Sequence, residues 1–307
     1  MRALVVTNMY PSPRDPARGS FVRDQVVALR RIPGLELELF TFQSLGWSAY
    51  LRATEAVRRR YRGAWFDVVH AHFGLNLWPA LAVHGAVHGV TLHGTDLVDR
   101  RSRSVTSAGL PLMDLVAPVS SPLEQLLPHC LVRGKLAVLP CGVDTGRFHR
   151  IDRREARRAL GLPEGGPYLL FAANPARREK RYDRALEVAG EVPLLALGRV
   201  EPSQVPLWVN AANAVLVTSQ RESFGLAVLE ALACDVPVLA TPVGIAPEVL
   251  TGIEGTYSGV FDPPRWRAAL APLVADEDPR VAGRAAAERY SADRMAARVF
   301  DAWRSAV

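Results

Sequence analysis

Short apolar segments alternate with longer amphipathic segments along most of the chain. The apolar segments are rich in Val, Leu and Ala and are bounded by turn residues, which is typical of strands buried in a parallel sheet. Amphipathic segments of helical length, such as residues 21–31 and 49–62, lie between some of them. In the first half of the chain we predict strands at residues 3–7, 36–42, 67–71, 89–92, 115–119 and 136–139.

The alternation stops at residues 140–144, and a charged segment follows. It then resumes with predicted strands at residues 168–172, 194–197, 214–218 and 236–240, and the chain is predicted to be helical from about residue 278. This α/β pattern predicts two doubly wound, Rossmann-like domains that face each other across a cleft. We place the N-terminal domain at residues 1–150 and the C-terminal domain at residues 151–307, with the last helix a candidate to cross back to the N-terminal domain.

The composition is that of a globular protein. The 307 residues are 49% hydrophobic and 22% charged, which is enough chain for two cores. The first apolar run is short and meets turn residues at once, so we interpret it as a strand and not as a signal peptide. The uncharged, largely apolar stretch at residues 75–92 is interrupted by Asn76 and Pro79 and predicts no membrane-spanning helix. The three cysteines are isolated in sequence, which favours reduced thiols and a cytoplasmic location.

Positive charge is concentrated in the first half of the chain. Residues 1–150 contain 18 Lys and Arg against 11 Asp and Glu, a net charge of +7, whereas residues 151–307 contain 19 against 20, a net charge of −1. A basic N-terminal half suits an anionic surface or an acceptor that carries phosphate. Within it, residues 47–65 combine aromatic residues with five arginines. Two interpretations stay open: a helix that lies on an anionic membrane, or an ordinary crossover helix whose aromatic residues face the sheet.

The segment at residues 221–233, Arg-Glu-Ser-Phe-Gly-Leu-Ala-Val-Leu-Glu-Ala-Leu-Ala, indicates a ligand site. Glu222 follows a predicted strand, the turn at residues 223–225 is predicted to open a helix, and Glu230 lies within that helix. The unpaired amides at a helix start favour an anion, especially a phosphate. A carboxylate on each side of a phosphate site suits a ligand with hydroxyl groups at both ends, such as a nucleotide sugar.

Two further residues follow predicted strands, on the side where ligands bind in open parallel sheets. His93 opens the sequence His-Gly-Thr-Asp, in which Asp96 is expected to cap the following segment. Lys180 is one of two lysines among 37 cationic residues, which indicates a specific contact with phosphate. A structural histidine and a solvated surface lysine are the alternatives.

The order and spacing of several motifs point to one family. They are YPSP and GSFVRDQVVAL near the N-terminus, DVVHAHF at residues 67–73, VTLHGTD at 90–96, VLPCGVDTGRF at 138–148, FAANPARREKRYDRA at 171–185, and the two-glutamate segment. In these motifs the chain resembles the retaining GT-B glycosyltransferases of family 4 (group 1). That family includes sucrose synthase-like and phosphatidylinositol mannosyltransferase-like enzymes.

The resemblance implies a hexosyltransferase that moves a sugar from a nucleotide-sugar donor to a glycan, lipid-linked or small-molecule acceptor. The anomeric configuration of the sugar would be retained, and cell-envelope polysaccharide biosynthesis in the cytoplasm, or at the inner face of the membrane, would be the setting. Two alternatives stay open. One is a sugar-nucleotide epimerase or phosphorylase on the same fold, and the other is a non-catalytic partner that binds a nucleotide or glycan.

The resemblance also assigns roles to individual residues. Glu222 is expected to contact the transferred sugar near the reacting centre, and His93 is expected to orient that sugar from the N-terminal domain. These two residues are the expected catalytic residues.

The donor's diphosphate is expected to meet Lys180 and an upstream arginine, either Arg177 or Arg178. Glu230 is expected to accept hydrogen bonds from the ribose hydroxyls. The other expected donor-binding residues act largely through the backbone, and they are Gly19, Ser223, Phe224, Gly225 and Leu226.

No metal or other cofactor is expected. Asp276-Glu277-Asp278 has the form of the metal signature of a different glycosyltransferase fold, but it lies in a late connection and is interpreted as a solvated turn. His70 and His72 alternate on one predicted strand, but zinc requires three or four ligands, and no further ligand cluster accompanies them.

Overall fold

The computed structural model describes residues 1–13, 15–43, 46–198 and 200–307. The chain divides into two compact units. Unit 1 comprises Met1–Gly142 and Ala292–Val307, and unit 2 comprises Val143–Ser291.

Eleven strands are present in the described part of the chain, and all of their pairings are parallel. In chain order they are β1 (Arg2–Thr7), β2 (Glu36–Thr41), β3 (Phe66–His72), β4 (Gly85–Leu92), β5 (Leu115–Pro118), β6 (Lys135–Leu136), β7 (Leu169–Phe171), β8 (Leu194–Ala196), β9 (Ala214–Val217), β10 (Val238–Ala240) and β11 (Tyr257–Ser258).

Helices connect most of these strands, as parallel pairing requires. They are α1 (Ser20–Leu29), α2 (Ser48–Arg60), α3 (Leu77–Ala80), α4 (Thr95–Val98), α5 (Arg100–Gly109), α6 (Ser121–Glu124), α7 (Arg153–Ala159), α8 (Tyr182–Ala189), α9 (Val205–Ala211), α10 (Leu226–Ala233), α11 (Ala246–Leu250), α12 (Pro263–Ala275), α13 (Arg284–Glu288) and α14 (Ala292–Arg304). Short 3₁₀ turns lie at Gly74–Asn76, Leu110–Leu112, His129–Leu131 and Arg178–Lys180. None of the helices in the described ranges is long and apolar enough to cross a membrane.

The sheet of unit 1 has the strand order β2-β1-β3-β4-β5-β6. Helices α1 and α14 contribute to the core on one of its faces, where Val26 and Val299 join Val5 and Val68 of the strands. Trp303 of α14 is completely buried in this core. The C-terminal helix is therefore an integral part of unit 1, although most of unit 1 comes from the first half of the chain.

The sheet of unit 2 has the strand order β11-β10-β9-β7-β8. Its core contains Leu169, Phe171 and Leu216 from the strands and Trp266 from α12. In both units the second strand lies on one side of the first, and the later strands lie on the other side. The first and third strands of each sheet, β1 with β3 and β7 with β9, therefore form a topological switch point, where ligands bind in sheets of this kind.

The predicted strands are confirmed, with differences at their ends. Residues 136–139 were predicted as one strand, but β6 ends at Leu136. The chain beyond β6 still follows β5, because Ala137 donates a hydrogen bond to Val116 at 3.1 Å and Leu139 donates one to Pro118 at 3.0 Å. Strand β11 was not predicted, since two residues are too few to show a period.

The end of α10 is held by a polar contact. Asp235 has a positive φ of 55°, and its carboxylate accepts hydrogen bonds from the amides of Gly283 and Arg284 at 3.2 and 2.9 Å. The Arg284 guanidinium donates to the carbonyl of Ala233, the last residue of α10, at 3.2 Å. A cation is favourable at the negative end of a helix dipole. This contact fixes the helix that carries Glu230.

Candidate active site

Two loops of unit 2 meet at the switch point of its sheet. Lys180 lies in the loop after β7, and Glu222 lies in the loop after β9. Their side chains form a bidentate ion pair in which Lys180 Nζ is 2.6 Å from Oε1 and 2.7 Å from Oε2 of Glu222. The side chains are only 14% and 11% exposed. Such burial costs desolvation energy that close geometry must offset. The sequence analysis gave these residues separate roles, whereas the structure brings them into direct contact.

Hydroxyl groups at the end of β9 support this ion pair. The Ser219 hydroxyl donates to Glu222 Oε1 at 2.7 Å, and the Thr218 hydroxyl donates to the backbone carbonyl of Lys180 at 3.1 Å. The sequence analysis missed both residues. A serine three positions before a candidate carboxylate, just beyond a strand, is the signal that would have identified Ser219.

The two candidate phosphate-binding arginines are more exposed than the ion pair. Arg177 is 59% exposed, and its Nη2 is 2.7 Å from Glu179 Oε1. Arg178 begins the 3₁₀ turn that ends at Lys180 and is also exposed. Both side chains could approach a ligand from solvent, so the choice between them stays open.

The start of α10 lies next to Glu222 in the chain. Gly225 precedes the helix with a φ of 98°, and its carbonyl accepts a hydrogen bond from Val228 at 3.1 Å. A Cβ at this position would meet only Ile245, at the ordinary distance of 3.8 Å. Glycine is therefore required by backbone conformation, whatever ligand approaches. The amides of Gly225 and Leu226 make no hydrogen bond within the described residues.

The other predicted donor-binding residues of unit 2 lie on or beside α10. Leu226 is its first residue, and Glu230 is its fifth, partly exposed one turn from the start. Ser223 is partly exposed, and Phe224 is buried with its ring 6.1 Å from that of Tyr290. Phe224 can therefore serve a ligand only through its backbone.

Gly244, which the sequence analysis missed, allows the loop after β10 to pack beneath this site. Its φ is 59°, and a Cβ would lie 2.3 Å from the Phe224 carbonyl oxygen and 3.0 Å from Glu222 Cβ. The next residue, Ile245, donates its amide to that carbonyl at 2.7 Å. The signal in the sequence was a glycine just after a predicted strand.

In unit 1, His93 follows directly after β4, and a buried carboxylate holds its loop. Asp96 accepts hydrogen bonds from the backbone amides of His93 at 3.0 Å, Gly94 at 2.7 Å and Gly74 at 3.1 Å. The expectation that Asp96 caps the following segment is wrong, because its partners precede it in the chain. Burial raises the pKa of Asp96, and the backbone amides partly oppose this shift.

Three histidines lie together at the ends of β3 and β4. His72 Nδ1 is 3.0 Å from His93 Nε2, and His70 Nε2 is 2.7 Å from the Thr91 hydroxyl. Burial lowers the pKa of His72 to about 3. Burial, reinforced by the neighbouring histidines, holds the pKa of His70 and of His93 well below the ordinary range. All three are neutral at pH 7, and His72 is a partner of His93 that the sequence analysis missed.

Gly19 lies at the start of α1 and contacts its own chain. Its φ is 64°, and a Cβ would lie 2.2 Å from the carbonyl carbon and oxygen of Met9. Glycine is therefore required here by the approach of the loop after β1. Phe21, two residues on, brings its ring to within 4.9 Å of the His93 ring, so the start of α1 does adjoin His93.

No cluster of three or more His, Cys, Asp or Glu residues that could hold a metal ion occurs among the described residues. Asp278, in the segment that resembles a metal signature, is 2.9 Å from Arg153 Nη1 and 2.8 Å from Arg280 Nε. This carboxylate belongs to an ion-pair network and not to a freely solvated turn.

Helix α2 combines features of both interpretations of residues 47–65. Its buried residues are spaced four apart along one side of the helix; they are Ala49, Ala53 and Val57. Apolar side chains nevertheless remain exposed, with Trp47 at 50%, Leu51 at 76% and Trp65 at 59%. The helix packs as a crossover helix and also leaves bulky apolar groups beside its arginines.

Two family models match consecutive parts of the chain. The model described as Glycosyltransferase Family 4 matches residues 2–147, and the model described as Glycosyl transferases group 1 matches residues 191–289. Together they cover most of both units.

Similar proteins agree with these models. A D-inositol 3-phosphate glycosyltransferase of Xylanimonas cellulosilytica is 28% identical over 89% of this chain and 79% of its own length. The enzyme of the same name from Pseudarthrobacter chlorophenolicus is 28% identical over 82% of this chain and 74% of its own length.

Solved structures share the fold. The sucrose-phosphate synthase of Thermosynechococcus elongatus superposes with a TM-score of 0.77 at 18% identity, over 99% of both chains. Anabaena HepE in complex with UDP-glucose superposes with a TM-score of 0.68 at 16% identity, also over 99% of both chains. These likenesses show that the two sheets form the GT-B fold.

The neutral histidines predict that unit 1 loses stability in acid. The pKa of His72 is about 3 in the folded protein against 6.5 ordinarily, so between these values the unfolded chain binds a proton that the folded chain excludes. Stability is therefore complete above about pH 6.5 and falls as the pH decreases, by up to ~1.4 kcal/mol per pH unit for each such histidine. Urea unfolding at several pH values between 8 and 5 measures this slope.

The variant His72→Asn serves as the control, because it removes one of the titrating groups. The pH dependence of its unfolding free energy is expected to be shallower than that of the wild type, by the ~1.4 kcal/mol per pH unit that corresponds to one proton. A slope that is the same in both proteins would contradict the assignment of a buried neutral imidazole to His72.

Proposed function

Since the chain belongs to the group 1 glycosyltransferases of family 4, we propose that it transfers a sugar from a nucleotide-sugar donor with retention of anomeric configuration and without a metal ion. The observation that carries this proposal is the Lys180–Glu222 pair beside the start of α10. It combines a cation and unpaired amides for phosphate with a carboxylate for sugar hydroxyls. The acceptor is proposed to be a glycan, a lipid-linked sugar or a small molecule.

The diphosphate of the donor is proposed to bind Lys180 and the first amides of α10. A helix start favours an anion through its free amides and its dipole, and Lys180 adds a full positive charge. Either Arg177 or Arg178 would close over the phosphates from the solvent side. The UDP and UDP-glucose in the structures of Anabaena HepE support a nucleotide sugar as the class of donor.

Donor binding is proposed to exchange the partners of the ion pair. When a phosphate takes the place of the carboxylate at Lys180, Glu222 keeps its hydrogen bond from Ser219 and is free to accept bonds from the transferred sugar. The positive charge beside the leaving diphosphate then stabilises the charge that develops as the glycosidic bond breaks. Catalysis is thus electrostatic, and the proposal requires no covalent intermediate on the protein.

The other predicted site residues are given roles in binding the nucleotide, the sugar or the backbone around them. Glu230, one turn into α10, is proposed to accept hydrogen bonds from the ribose hydroxyls. In unit 1, His93 is proposed to orient the transferred sugar as a neutral side chain, and Gly19 is proposed to keep the start of α1 in place.

The acceptor is proposed to be anionic. The similar enzymes are named for D-inositol 3-phosphate, and the first half of this chain carries a net charge of +7. D-Inositol 3-phosphate is therefore the first acceptor to test. Formation of a glycoside would exclude an epimerase, a phosphorylase and a non-catalytic partner.

We propose that the exposed apolar side chains in the segment 47–65 contact an anionic membrane peripherally. The protein is expected to float with vesicles that contain anionic lipid, and more weakly with neutral vesicles, because the arginines need a negative surface. The double variant Trp47→Ser/Leu51→Ser is expected to float less, since it removes apolar side chains that do not support the core. Equal flotation of both proteins, or none with anionic vesicles, would exclude this contact.

Lys180→Ala is expected to weaken binding of a nucleoside diphosphate by roughly 10- to 100-fold. A hydrogen bond to a charged group contributes ~1.5–3 kcal/mol, and the substitution also leaves Glu222 unpaired near the phosphate. Isothermal titration calorimetry with UDP, and with GDP and ADP for comparison, measures the affinity. The other lysine provides the control, because Lys135 is exposed in unit 1 and Lys135→Ala should bind as the wild type does. Unchanged affinity in Lys180→Ala would rule out the proposed phosphate site.

Sugar transfer is expected to persist in EDTA at the rate seen without it. The proposed leaving-group stabilisation depends on Lys180 and backbone amides, which chelation does not affect. Rates with EDTA and with added Mg²⁺ or Mn²⁺ measure this property, and proton NMR of the product gives the anomeric configuration. A rate that EDTA abolishes and a divalent ion restores would disprove metal independence, and an inverted product would disprove retention.

A further inference from the structure

His72 makes an in-line contact with His93. The nitrogens are 3.0 Å apart, and the ring centroids are 5.3 Å apart with planes inclined by 24°. The centroid separation is close to its largest possible value, which is the N···N distance plus the distance from each ring centre to its nitrogen. The two nitrogens therefore lie on the line between the ring centres, and the two rings are nearly coplanar. The contact is therefore a hydrogen bond in the direction of the ring lone pairs, and not a face-to-face stack.

His70, the other histidine beside His72, has a tautomer that its own contacts determine. Trp303 Nε1 is 3.1 Å from His70 Nδ1, and an indole N–H can only donate. His70 Nδ1 must therefore accept, and neutral His70 carries its proton on Nε2, where it faces the Thr91 hydroxyl. His70 thus has both ring nitrogens occupied and offers no hydrogen bond to His72.

The second nitrogen of His72 decides which histidine donates. His72 is completely buried, and its Nε2 has no hydrogen-bond partner within the described part of the chain. If His93 donated, the single proton of neutral His72 would sit on Nε2 as a buried N–H without an acceptor. Such groups are rarer in proteins than unmatched acceptors, and each costs ~1–3 kcal/mol. The arrangement that avoids this cost has His72 Nδ1–H donating to His93 Nε2.

The proton of His93 is fixed as a consequence. Its Nε2 accepts, so neutral His93 must carry its proton on Nδ1. Among the described residues, His72 and the Phe21 ring contact this ring, His70 is close enough to lower its pKa, and the nearby Asp96 carboxylate is occupied by backbone amides. Burial holds the pKa of both His72 and His93 far below 6.5, which keeps this arrangement uncharged at neutral pH.

We propose that His72 is a positioning residue for His93, which it holds as the Nδ1–H tautomer so that His93 serves as a hydrogen-bond donor to an oxygen of the bound sugar and not as a base. The part that concerns the sugar rests on the proposed function. The tautomer itself does not, since it follows from the contacts within unit 1.

Two-bond ¹H–¹⁵N spectra of protein labelled with ¹⁵N-histidine test the tautomer directly. Wild-type His93, assigned by its loss in His93→Asn, is expected to show its proton on Nδ1 at pH 7. His72→Asn places an amide N–H near the position of Nδ1 and should preserve this signature, whereas His72→Leu should abolish it. A proton on His93 Nε2 in the wild type would overturn the proposal, and so would an Nδ1–H signature that survives in His72→Leu.

Steady-state kinetics test the consequence for the reaction. His72→Leu is expected to lower kcat at least tenfold with little change in the KM of the donor, and His72→Asn should recover most of the rate. A loss that both variants share would indicate a structural role and would contradict positioning. If the wild type transferred no sugar, the proposed function would fail, while the spectra would still decide the tautomer.

The wild-type spectrum also covers the case in which His72→Leu does not fold. It requires no substitution at residue 72, and an Nε2–H signal for His93 would refute the assignment by itself.

Discussion

The order of strands in each sheet is the constraint on which both candidate sites depend. In each unit the chain places its second strand on one side of the first and all later strands on the other. The loops that leave the first and third strands diverge, and they leave room at the carboxyl edge of the sheet. Parallel pairing brings distant residues to this same edge. Lys180 and Glu222, 42 positions apart, meet there in unit 2, and His72 and His93, 21 positions apart, meet at the ends of neighbouring strands in unit 1.

Under the proposed function, the buried ion pair would account for selectivity toward a ligand that has both phosphate and hydroxyl groups. Removing one partner of a buried pair leaves the other charge uncompensated, which is strongly unfavourable. A phosphate alone would satisfy Lys180 but would leave Glu222 with only the Ser219 hydroxyl. A sugar attached to that phosphate supplies the missing donors. The two halves of such a ligand would thus be recognised together, because each half is unfavourable without the other.

The sequence predicted the regular elements better than the contacts between them. Alternating apolar segments and helical periods predicted the strands that carry the sites, and strand ends identified His93 and Glu222. The Lys180–Glu222 pair could not be predicted, because it depends on how two loops pack across a sheet. Gly19 and Gly225 were predicted to bind the donor through the backbone, and the structure gives each a local reason to be glycine, since Gly19 packs on Met9 and Gly225 has a positive φ. Local sequence identifies an unusual residue, but tertiary packing determines what that residue accommodates.

The proposed exchange of partners would explain why residue 180 is a lysine. Only two of the 37 cationic residues are lysines, so an arginine would be the ordinary residue here. The planar fork of an arginine would match the Glu222 carboxylate in two parallel hydrogen bonds and would hold it in one geometry. A lysine ammonium is a compact point charge on a flexible chain. It can turn from a carboxylate to a phosphate without breaking a pair of parallel hydrogen bonds. The same flexibility would be a disadvantage in a purely structural ion pair, where the arginines at residues 153, 280 and 284 are found instead.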